Sequence, residues 1–209
     1  MSTVAVVFAK PPRPGTAKTR LAADVGPDTA ARLAAALLAD TVAALAHTGW
    51  AVVLSTPEPG VDHGVAVPRW DQGPGDLGAR LERALRRALE RHDRAVALGA
   101  DAPGWDPAHL AAIGAAPEEA VLGPTDDGGF WALGLSRCPP ALLDGVRWSA
   151  PTTAADAHDA LVRAGLSAGW GPRWFDVDTV DDLRRWRATV DRAAAPATHA
   201  ALDALGWDR

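Results

Sequence analysis

The feature that most constrains the fold of this chain is a series of short, continuously apolar runs separated by longer segments rich in Ala and Leu. The first run, residues 4–9, is apolar at every position, which is typical of a strand covered on both faces of a parallel sheet. Regular alternation of such runs with helical patterns predicts an α/β fold with a mostly parallel sheet between two helical layers. We expect strands over 4–9, 50–54, 95–98, 120–122, 130–135 and 174–177, and helices over 30–46, 76–92, 107–113, 152–164 and 180–192.

Two of the helices carry specific signals. Asp28 precedes the first helix and is a candidate N-cap, and Gly49 follows its end. The second helix, 76–92, repeats leucine every fourth residue, which predicts an apolar stripe packed on the sheet. The stripe consists of Leu77, Leu81, Leu85 and Leu89.

Length, charge and cysteine content exclude several classes of protein. The 209 residues fit one domain, 1–209, and a net charge of −5 disfavours a nucleic-acid partner. The single cysteine, Cys138, excludes an internal disulfide and a cysteine zinc cluster, which favours a cytoplasmic location. The apolar run at the N-terminus is too short for a signal or membrane segment, so no membrane partner is expected.

A cationic loop follows the first strand. Residues 10–20 read KPPRPGTAKTR, with four basic residues, three prolines and one glycine, and they include both lysines of the chain, Lys10 and Lys18. A stiff basic loop of this kind suits a phosphate chain, although a solvated basic turn has the same composition. Its spacing differs from the Walker motif, which disfavours a P-loop enzyme.

Three groups of aspartates follow predicted strands. Asp101 lies just past the third strand, where one carboxylate can hold a cation that bridges phosphate oxygens. Asp126 and Asp127 adjoin two glycines, and Asp176 and Asp178 project to one face of an extended chain. Ordinary turns and helix caps remain alternatives for all three groups. At the last group, Thr179 and Asp182 have the spacing of a capping box.

These motifs together resemble a known family. The strings KPPRPGTAKTRL, WDQGPGDLGARL, LGADAP, GPTDDGGFW and DVDTVDDL occur in this order over residues 10–183. They are similar to small bacterial proteins described as arsenosugar-biosynthesis-type glycosyltransferases. More distantly they resemble nucleotidyltransferases such as CMP-Kdo synthetase, the molybdenum-cofactor guanylyltransferase and the phospholactate or phosphoenolpyruvate guanylyltransferases. The resemblance implies a three-layer αβα GT-A fold, that of nucleotide-diphospho-sugar transferases, and a divalent metal, Mg²⁺ or Mn²⁺.

The resemblance also implies roles for particular residues. Phosphate and nucleotide contacts fall to Lys10, Arg13, Gly15, Lys18, Arg20, Gln72 and Asp76. Metal ligands are Asp101 and Asp178, with Asp176 assisting, and Lys18 and Asp101 are the catalytic residues. Contacts to the acceptor fall to Asp126, Asp127, Gly128, Gly129, Trp148 and Ser149.

The expected function is Mg²⁺-dependent transfer from an activated nucleotide. Nucleotidyl transfer from an NTP to a small phosphorylated or oxyanionic acceptor, like phosphoenolpyruvate or phospholactate, ranks first. Glycosyl transfer from an NDP-sugar is the alternative, and a non-catalytic nucleotide-binding module is a third. The partners are therefore a nucleotide donor and a small-molecule acceptor, while the nucleobase, the acceptor and the oligomeric state stay open. Because both lysines of the chain lie in this loop, Lys18→Ala is expected to abolish nucleotide binding. The fold is expected to stay intact, because an exposed loop lysine contributes little packing.

Overall fold

The computed structural model describes residues 1–207, in which the chain forms an α/β fold around one seven-stranded sheet. The strands are β1 (Thr3–Phe8), β2 (Ala51–Thr56), β3 (Arg69–Asp71), β4 (Arg94–Gly99), β5 (Ala120–Pro124), β6 (Phe130–Leu135) and β7 (Ala168–Trp170). The helices are α1 (Thr19–Val25), α2 (Pro27–Ala46), α3 (Leu77–Leu89), α4 (Pro107–Gly114), α5 (Thr153–Arg163), α6 (Val180–Thr189) and α7 (Pro196–Ala204).

The sheet is mostly parallel, which confirms the predicted fold class. Its strand order is β3-β2-β1-β4-β6-β5-β7, so β1 lies in the interior between β2 and β4. β6 runs antiparallel to both of its neighbours, and every other pair is parallel. The carboxyl ends of β1, β2 and β4 therefore meet at one edge of the sheet.

The first strand shows why a continuous apolar run is needed. Val4 and Val6 pack on one face against Leu85 of α3, while Ala5 and Val7 pack on the other face with side chains of α2 and α4. All four residues are at most 1% exposed. Helices thus cover both faces of the sheet, as the three-layer prediction requires.

A third apolar cluster joins the two ends of the chain. Leu33 and Leu37 of α2 pack there with Val177, Leu183 and Trp186, and these side chains are fully buried. α2 is, by length and composition alone, the one described helix that could cross a membrane, with a mean hydropathy of 1.5. It packs here as a core helix, with 44% of its most apolar window buried inside the fold.

Two details of the predicted helices are wrong. α2 begins after Gly26, and Asp28 lies in its first turn without capping it. Leu77 is 45% exposed because it is the first residue of α3, just after the Asp76 cap, and only Leu81 and Leu85 of the stripe are fully buried.

The last predicted strand, 174–177, is also wrong, because only Trp174 forms a single parallel bridge, to Thr125 just past β5. The backbone N–H of Trp174 donates to Pro124 O at 3.0 Å, and that of Val177 donates to Asp101 O at 3.0 Å. The segment therefore crosses from the end of β5 to the end of β4 and does not continue along either strand. The sheet is completed by β7, which the sequence patterns did not indicate, and β3, α1 and α7 were likewise not predicted.

Candidate active site

Two adjoining cavities open where β1 and β4 end. The loop cavity, about 570 Å³, is lined by Lys10 and residues 16–20 of the basic loop, together with Gln72 and Arg80. The tryptophan cavity, about 480 Å³, is lined by Trp148, Phe130, Asp127 and Asp176. Both volumes are in the range of small-molecule sites. The wall between them is formed by Phe8, Arg20, Leu77, Asp101, Ser149 and Asp178.

The two aspartates of this wall come from opposite halves of the chain. Asp101 follows β4, and Asp178 precedes the first turn of α6. Their side chains are 53% and 47% exposed. The backbone bond from Val177 to Asp101 holds the two segments together, so the predicted pairing of Asp101 with Asp178 is present in the structure.

Lys18 joins the two carboxylates. Its Nζ lies 2.6 Å from Asp101 Oδ1 and 3.3 Å from Asp178 Oδ1, and it donates to Val177 O at 2.6 Å. Burial disfavours the charged ammonium and is the largest single influence, but the two carboxylates outweigh it and raise the pKa of Lys18.

The position of Lys18 differs from expectation. The side chain is only 4% exposed, whereas an exposed loop lysine was expected. Its backbone has a φ of 51° and a ψ of 50°, a left-handed conformation that is uncommon for residues other than glycine. The loop turns at this residue into α1, and the side chain is directed into the protein.

Asp176 lines the tryptophan cavity in a half-buried position. Burial, followed by the neighbouring Asp101 carboxylate, raises its pKa to about 7, although the Lys18 ammonium opposes both effects. The third predicted acid therefore lies beside the other two, partly protonated near neutral pH.

The remaining residues of the basic loop divide into two groups. Lys10 and Arg20 line the loop cavity, are exposed, and have no hydrogen-bond or ion-pair partner among residues 1–207. Arg13 forms an ion pair with Glu58 instead and does not line either cavity. Gly15, with a φ of 78°, supplies a turn that favours glycine and is also outside the cavity lining.

The glycine-rich segment before α3 has one residue in the loop cavity. Gln72 is 7% exposed, and its side-chain amide donates to Ser55 O at 2.9 Å. Asp76 caps α3 by accepting the backbone N–H of Ala79 at 2.9 Å, and it does not line the cavity. Arg80, one turn into α3, does line it. Arg80 was missed because it lies among other arginines on a charged helix face.

The predicted acceptor motif is only partly at the site. Asp127 lines the tryptophan cavity, and its Oδ1 accepts the Thr125 hydroxyl at 2.6 Å and the Gly129 N–H at 3.0 Å. Asp126 points away and pairs with Arg185 at 2.7 Å. A Cβ on Gly128 would lie 1.9 Å from Pro151 O, so this glycine permits a close backbone contact.

The aromatic residues also differ in role. Trp148 and Ser149 line the tryptophan cavity, and Trp148 lies edge-on to Phe130. Trp131 is 2% exposed, stacks on Trp105 at 5.4 Å and donates to Pro172 O, so its position is that of a core side chain at the cavity floor.

A metal ion at this site would need ligands in addition to the protein's own side chains. Among residues 1–207, no group of three or more His, Cys, Asp or Glu side chains is arranged to hold a metal by itself. Asp101 and Asp178 nevertheless present half-exposed carboxylates beside the basic loop. Mg²⁺ typically takes one or two carboxylates and completes its shell with phosphate oxygens and water. The pair therefore fits a metal that is bound together with phosphates.

Comparison with known proteins gives matches over most of the chain. The model of a family described as "Uncharacterized protein conserved in bacteria (DUF2064)" matches residues 29–150. A phosphoenolpyruvate guanylyltransferase of Nocardia farcinica (strain IFM 10152) is 32% identical over 207 residues, covering 91% of this chain and 87% of that protein.

Solved structures show the same architecture. A candidate nucleotide-diphospho-sugar transferase of Desulfovibrio desulfuricans G20 is 30% identical, with a TM-score of 0.84 and coverage of 98% of this chain and 97% of that one. The 2-C-methyl-D-erythritol 4-phosphate cytidylyltransferase of Thermus thermophilus has a TM-score of 0.53 at 17% identity, covering 90% of this chain and 98% of that one. The second likeness shows the fold alone.

Proposed function

The chain belongs to the DUF2064 family of bacterial proteins, and from this premise we propose that it is a Mg²⁺-dependent nucleotidyltransferase. It would transfer a nucleoside monophosphate from an NTP to an oxyanion of a small phosphorylated acceptor, similar to phosphoenolpyruvate or phospholactate. The relative from Nocardia farcinica, which is named for such a transfer, supports this choice.

One observation carries the proposal: an aspartate pair forms the wall between two cavities. The loop cavity has two cations, Lys10 and Arg20, that have no partner among residues 1–207 and suit the triphosphate of the donor. The tryptophan cavity on the other side would take the acceptor. Arg20 lines both cavities and can contact anionic groups of either substrate.

The chemistry of the step follows from this arrangement. An acceptor oxyanion forms a bond to the α-phosphorus of the donor, the bond from that phosphorus to the pyrophosphate oxygen breaks, and pyrophosphate leaves with the electron pair. Asp101 and Asp178 would hold Mg²⁺ or Mn²⁺, whose chemistry is neutralisation of the phosphate charge. Lys10 and Arg20 stabilise the same charge from the loop side.

The test is a donor panel with purified protein. Each NTP is incubated with phosphoenolpyruvate or phospholactate and Mg²⁺, and pyrophosphate release is measured, with Asp101→Asn as the inactive control. A ligand at ~100 times its dissociation constant also stabilises the protein by about 2.7 kcal/mol, which a thermal-shift assay detects. The proposal predicts release that depends on an NTP, an acceptor and the metal together.

A second candidate is glycosyl transfer from an NDP-sugar, as in arsenosugar-biosynthesis-type glycosyltransferases. The similarity to the structure from Desulfovibrio desulfuricans G20 favours it. If the protein releases a nucleoside diphosphate from an NDP-sugar and turns over no NTP, its activity is glycosyl transfer and not nucleotidyl transfer. Nucleotide binding without turnover would indicate a binding module.

A further inference from the structure

The cations of the basic loop differ in their distance from solvent. Only 4% of the Lys18 side chain is exposed, whereas the side chains of Asp101 and Asp178 are about half exposed. Lys10 and Arg20 are also exposed, at the loop cavity. Lys18 contributes to the lining of the same cavity, but almost none of its side chain is accessible there. A guest in the cavity therefore meets much more carboxylate surface than Lys18 surface.

The hydrogen bonds of Lys18 lead to the same result. An ammonium group has three N–H donors. Those of Lys18 are directed to Val177 O, Asp101 Oδ1 and Asp178 Oδ1, at 2.6, 2.6 and 3.3 Å. A phosphate oxygen could be bound only by giving up one of these partners, and each partner is itself part of the site.

We propose that Lys18 is a positioning residue, which orients Asp101 and Asp178 toward the metal and does not bind the nucleotide's phosphates. The inference rests on the proposed function, because it concerns the same metal. Lys18 contacts Oδ1 of each carboxylate, which leaves Oδ2 of each for the cation. Groups behind metal ligands commonly orient them in this way.

The backbone supports this assignment. A left-handed conformation at a residue with a Cβ is unfavourable and persists only where surrounding contacts hold it. Lys18 adopts it at the start of α1, where its carbonyl accepts the Ala22 N–H at 2.8 Å. The conformation directs the side chain to the C-terminal segment 160 positions away, where two of its three partners lie.

Phosphate binding then falls to the other cations of the loop. Lys10 and Arg20 have no partner within residues 1–207 and line the loop cavity, so their donors are free for a triphosphate. This division departs from the sequence-based assignment, which placed Lys18 among the phosphate contacts. It also makes the two roles separable by experiment.

The experiment measures two probes on the full chain. Inorganic tripolyphosphate is titrated in EDTA by calorimetry, and Mn²⁺ binding is measured by electron paramagnetic resonance with and without tripolyphosphate. The variants are Lys18→Met and the milder Lys18→Gln, with Lys10→Met and Arg20→Met as matched controls. Circular dichroism and thermal melting identify folded variants, and Lys18→Gln serves if Lys18→Met does not fold.

Opposite results are expected for the two groups. Lys18→Met should keep tripolyphosphate affinity within about twofold and lose about tenfold or more in Mn²⁺ affinity, which is about 1.4 kcal/mol. Lys10→Met and Arg20→Met should lose tripolyphosphate affinity and keep the affinity for Mn²⁺ alone.

Three outcomes would overturn the positioning role. Loss of tripolyphosphate binding in Lys18→Met with unchanged Mn²⁺ binding would make Lys18 a phosphate contact. Tighter Mn²⁺ binding would make it a competitor for the metal position. If the wild-type chain binds tripolyphosphate but no Mn²⁺, there is no metal to position, whereas binding of both probes without turnover contradicts the proposed function alone.

Discussion

At the scale of the residue, the structure distinguishes two roles that the sequence leaves open for Asp178, a helix cap and a residue of the candidate site. The capping box of α6 is made by Thr179 and Asp182, whose side chains each bond the other's backbone N–H. The side chain of Asp178 takes no part in this cap and instead pairs with Lys18. Capping of α6 therefore does not account for the Asp178 carboxylate, which lies at the wall between the two cavities.

Replacing either wall aspartate should abolish metal-dependent turnover. Asp101→Asn and Asp178→Asn each remove a charged metal ligand, and we expect turnover to fall on the order of 10²–10³-fold. Asp181→Asn is the matched control, because this residue is 89% exposed, pairs with Arg184 and lines neither cavity. Pyrophosphate release at saturating Mg²⁺ is the measurement. Near-normal turnover in Asp178→Asn would show that the pair is not the metal site.

Asp176 should make the free energy of unfolding depend on pH. Its pKa of about 7 lies above that of an aspartate in an unfolded chain, so the folded state binds the extra proton between about pH 4 and pH 7. The free energy of unfolding should therefore fall as pH rises through this window. Asp176→Asn removes this loss and should stabilise the metal-free protein at pH 8 by about 1 to 4 kcal/mol.

The measurement is urea unfolding at several pH values in EDTA. Asp181→Asn again serves as the control and should follow the wild-type curve. If Asp176→Asn shows the same pH dependence as the wild type, Asp176 is not the titrating group.

At the scale of the element, the short segment before α6 depends on its capping box. Thr179→Ala removes the side-chain acceptor for Asp182 N–H, which costs about 1 kcal/mol. The same change loosens the turn that carries Asp178, so we expect weaker Mn²⁺ binding as well. Chemical denaturation and Mn²⁺ titration measure the two effects.

Thr152→Ala provides the comparison for this prediction. Thr152 stands at the N-cap of α5 but makes no side-chain cap bond. Its replacement should change stability by less than about 0.5 kcal/mol and leave Mn²⁺ binding intact. Equal losses in both variants would mean that the box at Thr179 has no special role.

Elements with a strong local pattern were predictable from the sequence, and those defined by tertiary contacts were not. β6 has the same bounds, Phe130–Leu135, as the apolar run that predicted it. β7 consists of Ala, Gly and Trp and lacks the β-branched residues that mark strands, so only its pairing with β5 defines it. Three of the four residues in 174–177 are apolar, as in a strand, but the backbone bonds of this segment go to two different strand ends.

The same contrast between local sequence patterns and tertiary contacts applies to the candidate site. The prediction that Asp101 and Asp178 lie together is met, although only Asp101 follows a strand. Asp176 and Asp178 reach the same place because the backbone of Val177, between them, bonds to Asp101 O. The burial of Lys18 beside these carboxylates could not be predicted, because it depends on a left-handed residue and on partners as far as 160 positions away. For the same reason, the pairing of Asp126 with Arg185 was not visible in the sequence.

At the scale of the whole molecule, Trp186 couples stability to the site. It is fully buried in the cluster that joins α2 to the C-terminal helices, and its indole N–H donates to Pro103 O at 2.8 Å, two residues after Asp101. Trp186→Ala should cost about 3–5 kcal/mol and weaken Mn²⁺ binding in the folded fraction. Trp186→Phe keeps much of the packing and should cost about 1–3 kcal/mol, mostly for the unpaired carbonyl.

Denaturant unfolding and Mn²⁺ titration test this coupling. Val162→Ala is the control, because Val162 is an apolar side chain on α5 that is 52% exposed. It should change neither quantity by more than about 0.5 kcal/mol. Loss of stability in Trp186→Phe with unchanged Mn²⁺ affinity would contradict the coupling to the Asp101 loop.

The crossing of residues 174–177 over the strand ends also determines the order in which the parts of the site become available during synthesis. A ribosome releases the chain from its N-terminus, and all seven strands precede residue 171. The residues of all these strands therefore leave the ribosome before Asp176 and Asp178 do. During that interval Lys18 has only one of its three partner residues, Asp101. The growing polypeptide thus cannot assemble its aspartate pair until residues 176–178 have been released as well.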